Sequence, residues 1–137
     1  KSEGARVVTG GERNVIGNGY YVKPTIFDQV KPEMTIAREE IFGPVVAVMP
    51  FTTDDEAVAL ANASDYGLAA GVWTNNLKRG HKMAARLQAG TVWVNTYNFY
   101  DPAAPFGGYK MSGFGRDLGA ASLNEYLQLK TVWIDLS

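Results

Sequence analysis

Three short apolar runs, separated by stretches patterned as helices, constrain this chain more than any other feature. Residues 45–49 (Val-Val-Ala-Val-Met), 68–74 (Leu-Ala-Ala-Gly-Val-Trp-Thr) and 91–95 (Thr-Val-Trp-Val-Asn) are all of strand length. Continuous apolar runs suit strands covered on both faces, as in a parallel sheet. Between the first two lies Thr53-Asp54-Asp55-Glu56, a capping box in which the Thr hydroxyl caps the N–H three residues on and the Glu reaches back. Its acids suit the positive end of a helix dipole, and Ala57, Leu60 and Ala61 follow at helical spacing. Between the second and third runs, residues 77–87 place Met83, Ala84 and Leu87 on one helical face, and Ala89-Gly90 reads as a glycine C-cap. Strand–helix–strand–helix–strand predicts an α/β fold, a parallel sheet with flanking helices and right-handed crossovers.

The flanks carry weaker signals. Residues 6–9 are β-prone and end at Gly10-Gly11, and residues 17–19 form a turn signal. Residues 20–22 and 25–27 read as extended segments around Pro24, which argues for an edge position. A short helical turn is expected over 34–39, before Gly43-Pro44 stops it. Residues 96–119 form a long loop rich in Gly, Pro and aromatics with no clear period, the kind that is usually functional. A short helix over 120–126 is followed by alternation to residue 136. That stretch predicts a C-terminal strand with Leu127, Leu129, Val132 and Ile134 as candidate buried positions.

Composition removes several classes of function. The 137 residues suit a domain with its own apolar core, and 46% are apolar. A net charge of −1 without a basic run gives little support for nucleic-acid or anionic-membrane binding. No apolar stretch is long enough to span a bilayer. The start, Lys1-Ser2-Glu3-Gly4, shows no apolar core of a secretory signal, so a cytoplasmic location is expected. The absence of cysteine excludes disulfides, thiolate metal sites and a Cys nucleophile within this chain. The single histidine, His81, lies in a polar stretch and reads as a solvated surface residue, so no metal site is expected.

Two segments carry possible chemistry. In Glu39-Glu40-Ile41-Phe42-Gly43-Pro44, a carboxylate can accept hydrogen bonds from vicinal ribose hydroxyls, and an aromatic ring can pack on a flat heterocycle. Taken by itself, a surface Glu pair capping a short helix, with Phe42 in the core, is the commoner arrangement. The loop after the third run brings Tyr97, Phe99, Tyr100 and Phe106 together beyond a strand's carboxyl end, where ligands bind in open α/β sheets. A loop folded over its own aromatic cluster explains the same residues. Residues 113–119 (Gly-Phe-Gly-Arg-Asp-Leu-Gly) are not a dinucleotide fingerprint: the glycine spacing is one too long and no strand immediately precedes them. The sequon Asn62-Ala63-Ser64 lies at an expected helix end and is treated as chance.

At these motifs the chain resembles the aldehyde dehydrogenase superfamily. The resemblance runs through residues 19–25, 39–45, 65–70, 90–95 and 105–119, in the family's order. It implies that Glu40 binds the nicotinamide ribose of NAD or NADP and that Phe42 contacts the nicotinamide. It implies that Tyr97, Asn98, Phe99 and Phe106 line the aldehyde tunnel, with Asn95 ending the strand that leads into it. Residues 1–125 would be the C-terminal part of the catalytic domain. Residues 126–137 would be a terminal strand pairing with a neighbouring subunit in a dimer or tetramer. The family's Rossmann domain, catalytic cysteine, general-base glutamate and oxyanion asparagine lie N-terminal to this region, so no catalytic residue is expected here.

The resemblance further implies an activity for the parent: a thiolate attacks an aldehyde, hydride passes to the dinucleotide and water releases a carboxylic acid. This chain by itself would be inactive. The cofactor and aldehyde residues would meet in one cleft. A non-catalytic structural or assembly homologue of the crystallin kind, or a CoA-acylating semialdehyde dehydrogenase, would share the same pattern.

Overall fold

The computed structural model describes residues 1–137, which divide into two compact units, Lys1–Ser64 and Asp65–Ser137.

The first unit holds strands β1 (Arg6–Thr9), β2 (Arg13–Asn14), β3 (Tyr21–Val22) and β4 (Thr25–Asp28), helix α1 (Thr35–Arg38), strand β5 (Val45–Ala47) and helix α2 (Asp54–Asn62). Its main sheet has the order β1-β4-β5. β1 runs antiparallel to β4, with Arg6 opposite Asp28, and the two side chains form an ion pair across that register. β4 and β5 are parallel, pairing Thr25 with Val45 and Phe27 with Ala47. Ala5, Val30 and Met34 form the core, and Phe27, Ile36, Ala47 and Met49 pack against it. α2 begins as its sequence predicts, with Glu56 N–H donating to Thr53 Oγ1 at 3.1 Å. The Glu56 carboxylate reaches one residue further back than a capping box requires, to Thr52 N–H at 2.7 Å. The buried residue of α2 is Val58, with Ala57 and Leu60 partly covered.

The second unit holds β6 (Tyr66–Gly67), β7 (Ala69–Val72), helix α3 (Leu77–Arg86), β8 (Thr91–Val94), β9 (Tyr109–Lys110) and a 3-10 helix over Ala120–Tyr126. β7, α3 and β8 make a parallel strand–helix–strand unit, with Ala69 opposite Thr91 and Val72 opposite Val94. Met83 of α3 is buried, with Ala84 and Leu87 partly covered, as the helical spacing predicts. Asn76 caps α3, its Oδ1 accepting from Arg79 N–H at 2.9 Å. β6 pairs antiparallel with β9.

Four expectations need correction. The three apolar runs do not form one parallel sheet: β5 pairs with β4, and β7 pairs only with β8. Alternating elements dictate parallel crossovers but not which strands become neighbours. Burial along residues 45–49 alternates, so β5 is covered on one face and not on both. Next, the segment after Pro24 is the central strand β4. Proline is tolerated because it precedes the strand, and the first ladder donor is Thr25 N–H, bonded to Pro44 O at 2.8 Å.

Third, Gly90 is not a helix cap. α3 ends at Leu87 in an extended conformation, and a Cβ on Gly90 would overlap the Gly107 carbonyl, so Gly90 allows two backbones to touch. Fourth, residues 127–137 form no ladder within the chain. Leu127, Leu129, Val132 and Ile134, expected to be buried, are all exposed, Leu129 completely. A strand is stabilised by its ladder partner, and none is present in this chain.

Candidate functional site

The predicted site residues fall in both units, and each group is built differently. Glu40 and Phe42 belong to the first. α1 has no local N-cap, because Met34 offers no side-chain oxygen. The Glu3 carboxylate caps it from 32 residues away, accepting from Thr35 N–H and from the Thr35 hydroxyl, both at 2.7 Å. These two donors hold the Glu3 carboxyl below its ordinary pKa.

After one turn the helix gives way to extended backbone at Glu39. Two tight turns follow, with Gly43 N–H bonding Ile41 O and Val45 N–H bonding Gly43 O, each at 2.8 Å. The result carries Glu40 and Phe42 on an exposed bend. Phe42 is 96% exposed, which rules out the core position that the commoner arrangement would give it. The Glu40 carboxylate is exposed and has no hydrogen-bond partner in the chain. Beside it lies a cavity of about 300 Å³, with Phe27, Met34 and Ile36 on its apolar side and Glu3, Glu39 and Glu40 on its polar side.

The second group is built into the loop after β8. Asn95 ends that strand in the left-handed region, at φ 57°. Its side-chain amide clasps Thr74 from both sides: Oδ1 accepts from Thr74 N–H at 2.8 Å, and Nδ2 donates to Thr74 O at 2.9 Å. Tyr97 packs on Trp93 with ring centroids 4.9 Å apart, and on Trp73 at 6.3 Å. Tyr100 stands edge-on between Trp93, at 5.6 Å, and Phe106, at 5.1 Å. The Tyr100 hydroxyl donates to Asn98 Oδ1 at 2.9 Å. Phe106 is fixed by two backbone bonds of 2.7 Å with Asp117, so residues 106–117 close into a stem.

The fold therefore brings together Tyr97, Asn98 and Phe106, three of the four predicted wall residues. The Phe99 ring is exposed and outside the stack; Phe99 contributes its carbonyl, which accepts from Trp93 Nε1 at 2.8 Å. The loop rests on its own aromatics and leaves Tyr97 and Phe99 mostly exposed.

Sequence reasoning placed Tyr100 in the aromatic cluster but missed Trp73 and Trp93 as members of this array. One signal was available: Gly71 lies in a strand, where a glycine often marks a close approach. A Cβ there would come within 2.7 Å of Trp73 and 3.2 Å of Tyr97.

A second cavity, about 370 Å³, lies beside the stem, between Leu68, Phe106, Ser112, Arg116 and Glu125. The Arg116 guanidinium closes one wall by donating to Gly108 O at 2.9 Å and Gly115 O at 2.7 Å. Residues 113–119 lead into a 3-10 helix. No group of three or more His, Asp or Glu side chains is arranged to hold a metal ion, His81 is exposed, and no helix is long and apolar enough to cross a membrane.

A sequence model of the Aldehyde dehydrogenase family matches residues 1–132. The chain belongs to that family. The chain is 57% identical over 136 residues to a putative aldehyde dehydrogenase, DhaS, of Bacillus subtilis. It is 54% identical over 138 residues to betaine aldehyde dehydrogenase 1 of Rhizobium meliloti. Both alignments cover 99% of this chain but only 27% and 28% of the relatives. An NAD+ complex of an aldehyde dehydrogenase from Bacillus cereus superposes with a TM-score of 0.91 at 56% identity, covering 99% of this chain and 28% of that one. The chain thus spans a little over a quarter of the length of the relatives it matches.

Proposed function

We propose that this chain acts as part of an NAD(P)-dependent aldehyde dehydrogenase that oxidises an aldehyde to a carboxylic acid. In this reading it supplies the nicotinamide-ribose contacts through Glu40 and Phe42 and the aldehyde-tunnel wall through Tyr97, Asn98, Phe99 and Phe106. The observation that carries the reading is the match along almost the whole chain to a family member determined with NAD+ bound.

The residues present fit a dinucleotide of this kind. The unpartnered Glu40 carboxylate offers acceptors to two vicinal hydroxyls, and the uncovered face of Phe42 can meet a flat ring. The chemistry such a cofactor would supply is hydride acceptance. What this chain's own residues do is bind and orient. Glu40 fixes the ribose, Phe42 limits the tilt of the nicotinamide, and the aromatic loop excludes water from the aldehyde's side chain. Positioning of this sort is worth as much as about 7–11 kcal/mol of a barrier when the reacting atoms are well aligned. A homo-oligomer, paired through residues 126–137, and a cytoplasmic location belong to the same reading.

The test is Glu40→Gln in a full-length enzyme carrying this segment. The change keeps the shape and removes the charge that strengthens hydrogen bonds from the ribose. A loss of about 1.5–3 kcal/mol is expected, roughly 10- to 150-fold in kcat/KM. Steady-state kinetics and dinucleotide titration read it. Wild-type turnover together with wild-type dinucleotide affinity would remove Glu40 from the site.

A further inference from the structure

We infer that Trp93 is a positioning residue for the aldehyde-facing loop: from β8 it sets where residues 97–100 stand, acting through them. The inference rests on the assignment of that loop to the aldehyde wall. Trp93 is one of the few side chains buried in its unit, at 8% exposure. An indole N–H can only donate, and a buried donor needs an acceptor. Here it bonds Phe99 O at 2.8 Å, six residues further along the chain. The faces and edges of the same ring carry Tyr97 at 4.9 Å and Tyr100 at 5.6 Å. Three positions of a six-residue stretch are thus referenced to one side chain.

That stretch needs holding. Asn95 and Asn98 both sit at positive φ, 57° and 60°, conformations that surrounding contacts must maintain. The Asn95 amide fixes the start of the loop on Thr74. Trp93 fixes its middle, and Tyr100 then passes the position on to Phe106.

Loss of the indole bond should therefore shift the wall, and the shift should matter only to aldehydes long enough to touch it. The test uses a full-length aldehyde dehydrogenase carrying this segment, with KM and kcat measured for acetaldehyde and for phenylacetaldehyde. Trp93→Phe keeps an aromatic ring and removes the donor. Replacing Trp93 by 3-benzothienylalanine, which exchanges only the N–H for sulfur, serves where Trp93→Phe does not fold.

The expected result is a rise of about three- to tenfold in KM for phenylacetaldehyde, with KM for acetaldehyde changed less than twofold and KM for the dinucleotide unchanged. A purely structural role lowers the active fraction, which reduces apparent kcat for both aldehydes and leaves the KM ratio alone; that outcome overturns the inference. Phe106→Ala and Tyr100→Ala separate the two levels. If neither raises KM for phenylacetaldehyde, the loop is not the aldehyde wall, and both assignments fall. If they raise it while the Trp93 variants leave the KM ratio as in wild type, the wall stands and the positioning role of Trp93 is refuted.

Discussion

The bend at residues 39–44 and the loop at residues 95–106 are both proposed contact surfaces, yet they are built on opposite principles. The loop carries its own scaffold. Asn95 clasps Thr74, Trp93 holds Phe99 O, and four ring contacts link Trp73 to Phe106. The bend has two tight backbone turns and little else, and it leaves Phe42 almost fully exposed and Glu40 without a partner. Uncovered large apolar groups mark contact surfaces. An aldehyde has few polar atoms, so its wall must be shaped in advance by the protein. A dinucleotide brings hydroxyls and a ring of its own, which can complete contacts that an open carboxylate and an open aromatic face offer.

Four changes would sharpen or break that contrast. The largest effect is expected from the chain by itself. The sequence contains no cysteine to supply a nucleophilic thiolate, so the purified 137-residue chain should form no NADH with any aldehyde. Absorbance at the nicotinamide band above a protein-free control would contradict the division of labour proposed here.

Glu40→Gln, discussed above, comes second. It should lower kcat/KM for short and long aldehydes alike, whereas the Trp93 variants should raise KM for the long aldehyde and leave KM for the short one nearly unchanged. Third is Gly90→Ala in the full-length enzyme. An added methyl would drive into the Gly107 carbonyl at the base of the stem, and overpacking of this kind costs about 1–3 kcal/mol. A thermal melt unchanged from wild type would show that the stem is not braced there.

The smallest effect is expected from Glu3→Gln. The Glu3 carboxyl is held below its ordinary pKa by the two Thr35 donors, so its folded value lies under its unfolded one. Its contribution to stability is present above the unfolded value and is lost as pH falls through the folded value. Gln at position 3 should therefore flatten stability against pH in that acidic window, only in part. Glu12, Asp28, Glu56 and Asp135 are shifted in the same direction by Lys23, Arg6, Thr52 and Ser137 respectively. Urea midpoints measured from pH 3 to 6 would test this, and parallel curves for the two proteins would exclude a capping role for Glu3.

Much of the local structure was legible before any coordinates. The Thr53 cap, the α3 face through Met83 and the parallel β7–β8 pair all follow from spacing that repeats within a few residues. The order of motifs also pointed to the family. Three features misled. Pro24 suggested an edge but only precedes a central strand; Gly90 suggested a cap but allows a backbone crossing; and the alternation after residue 126 suggested burial that this chain does not provide. In each case the residue type had two physical uses, and only its neighbours in space distinguish them.

The amino-acid sequence alone determined the helices α2 and α3, the strands β5, β7 and β8, and the parallel crossover that joins β7 to β8. Periodicity and capping are properties of neighbours along the chain, and the sequence displays them directly. The tertiary structure decided that Glu3 caps a helix 32 residues away, that Trp93 holds the loop through a carbonyl, and that Gly90 meets Gly107. Those contacts join residues that no local pattern pairs, and they exist only once the backbone has placed a donor, an acceptor or an absent side chain face to face.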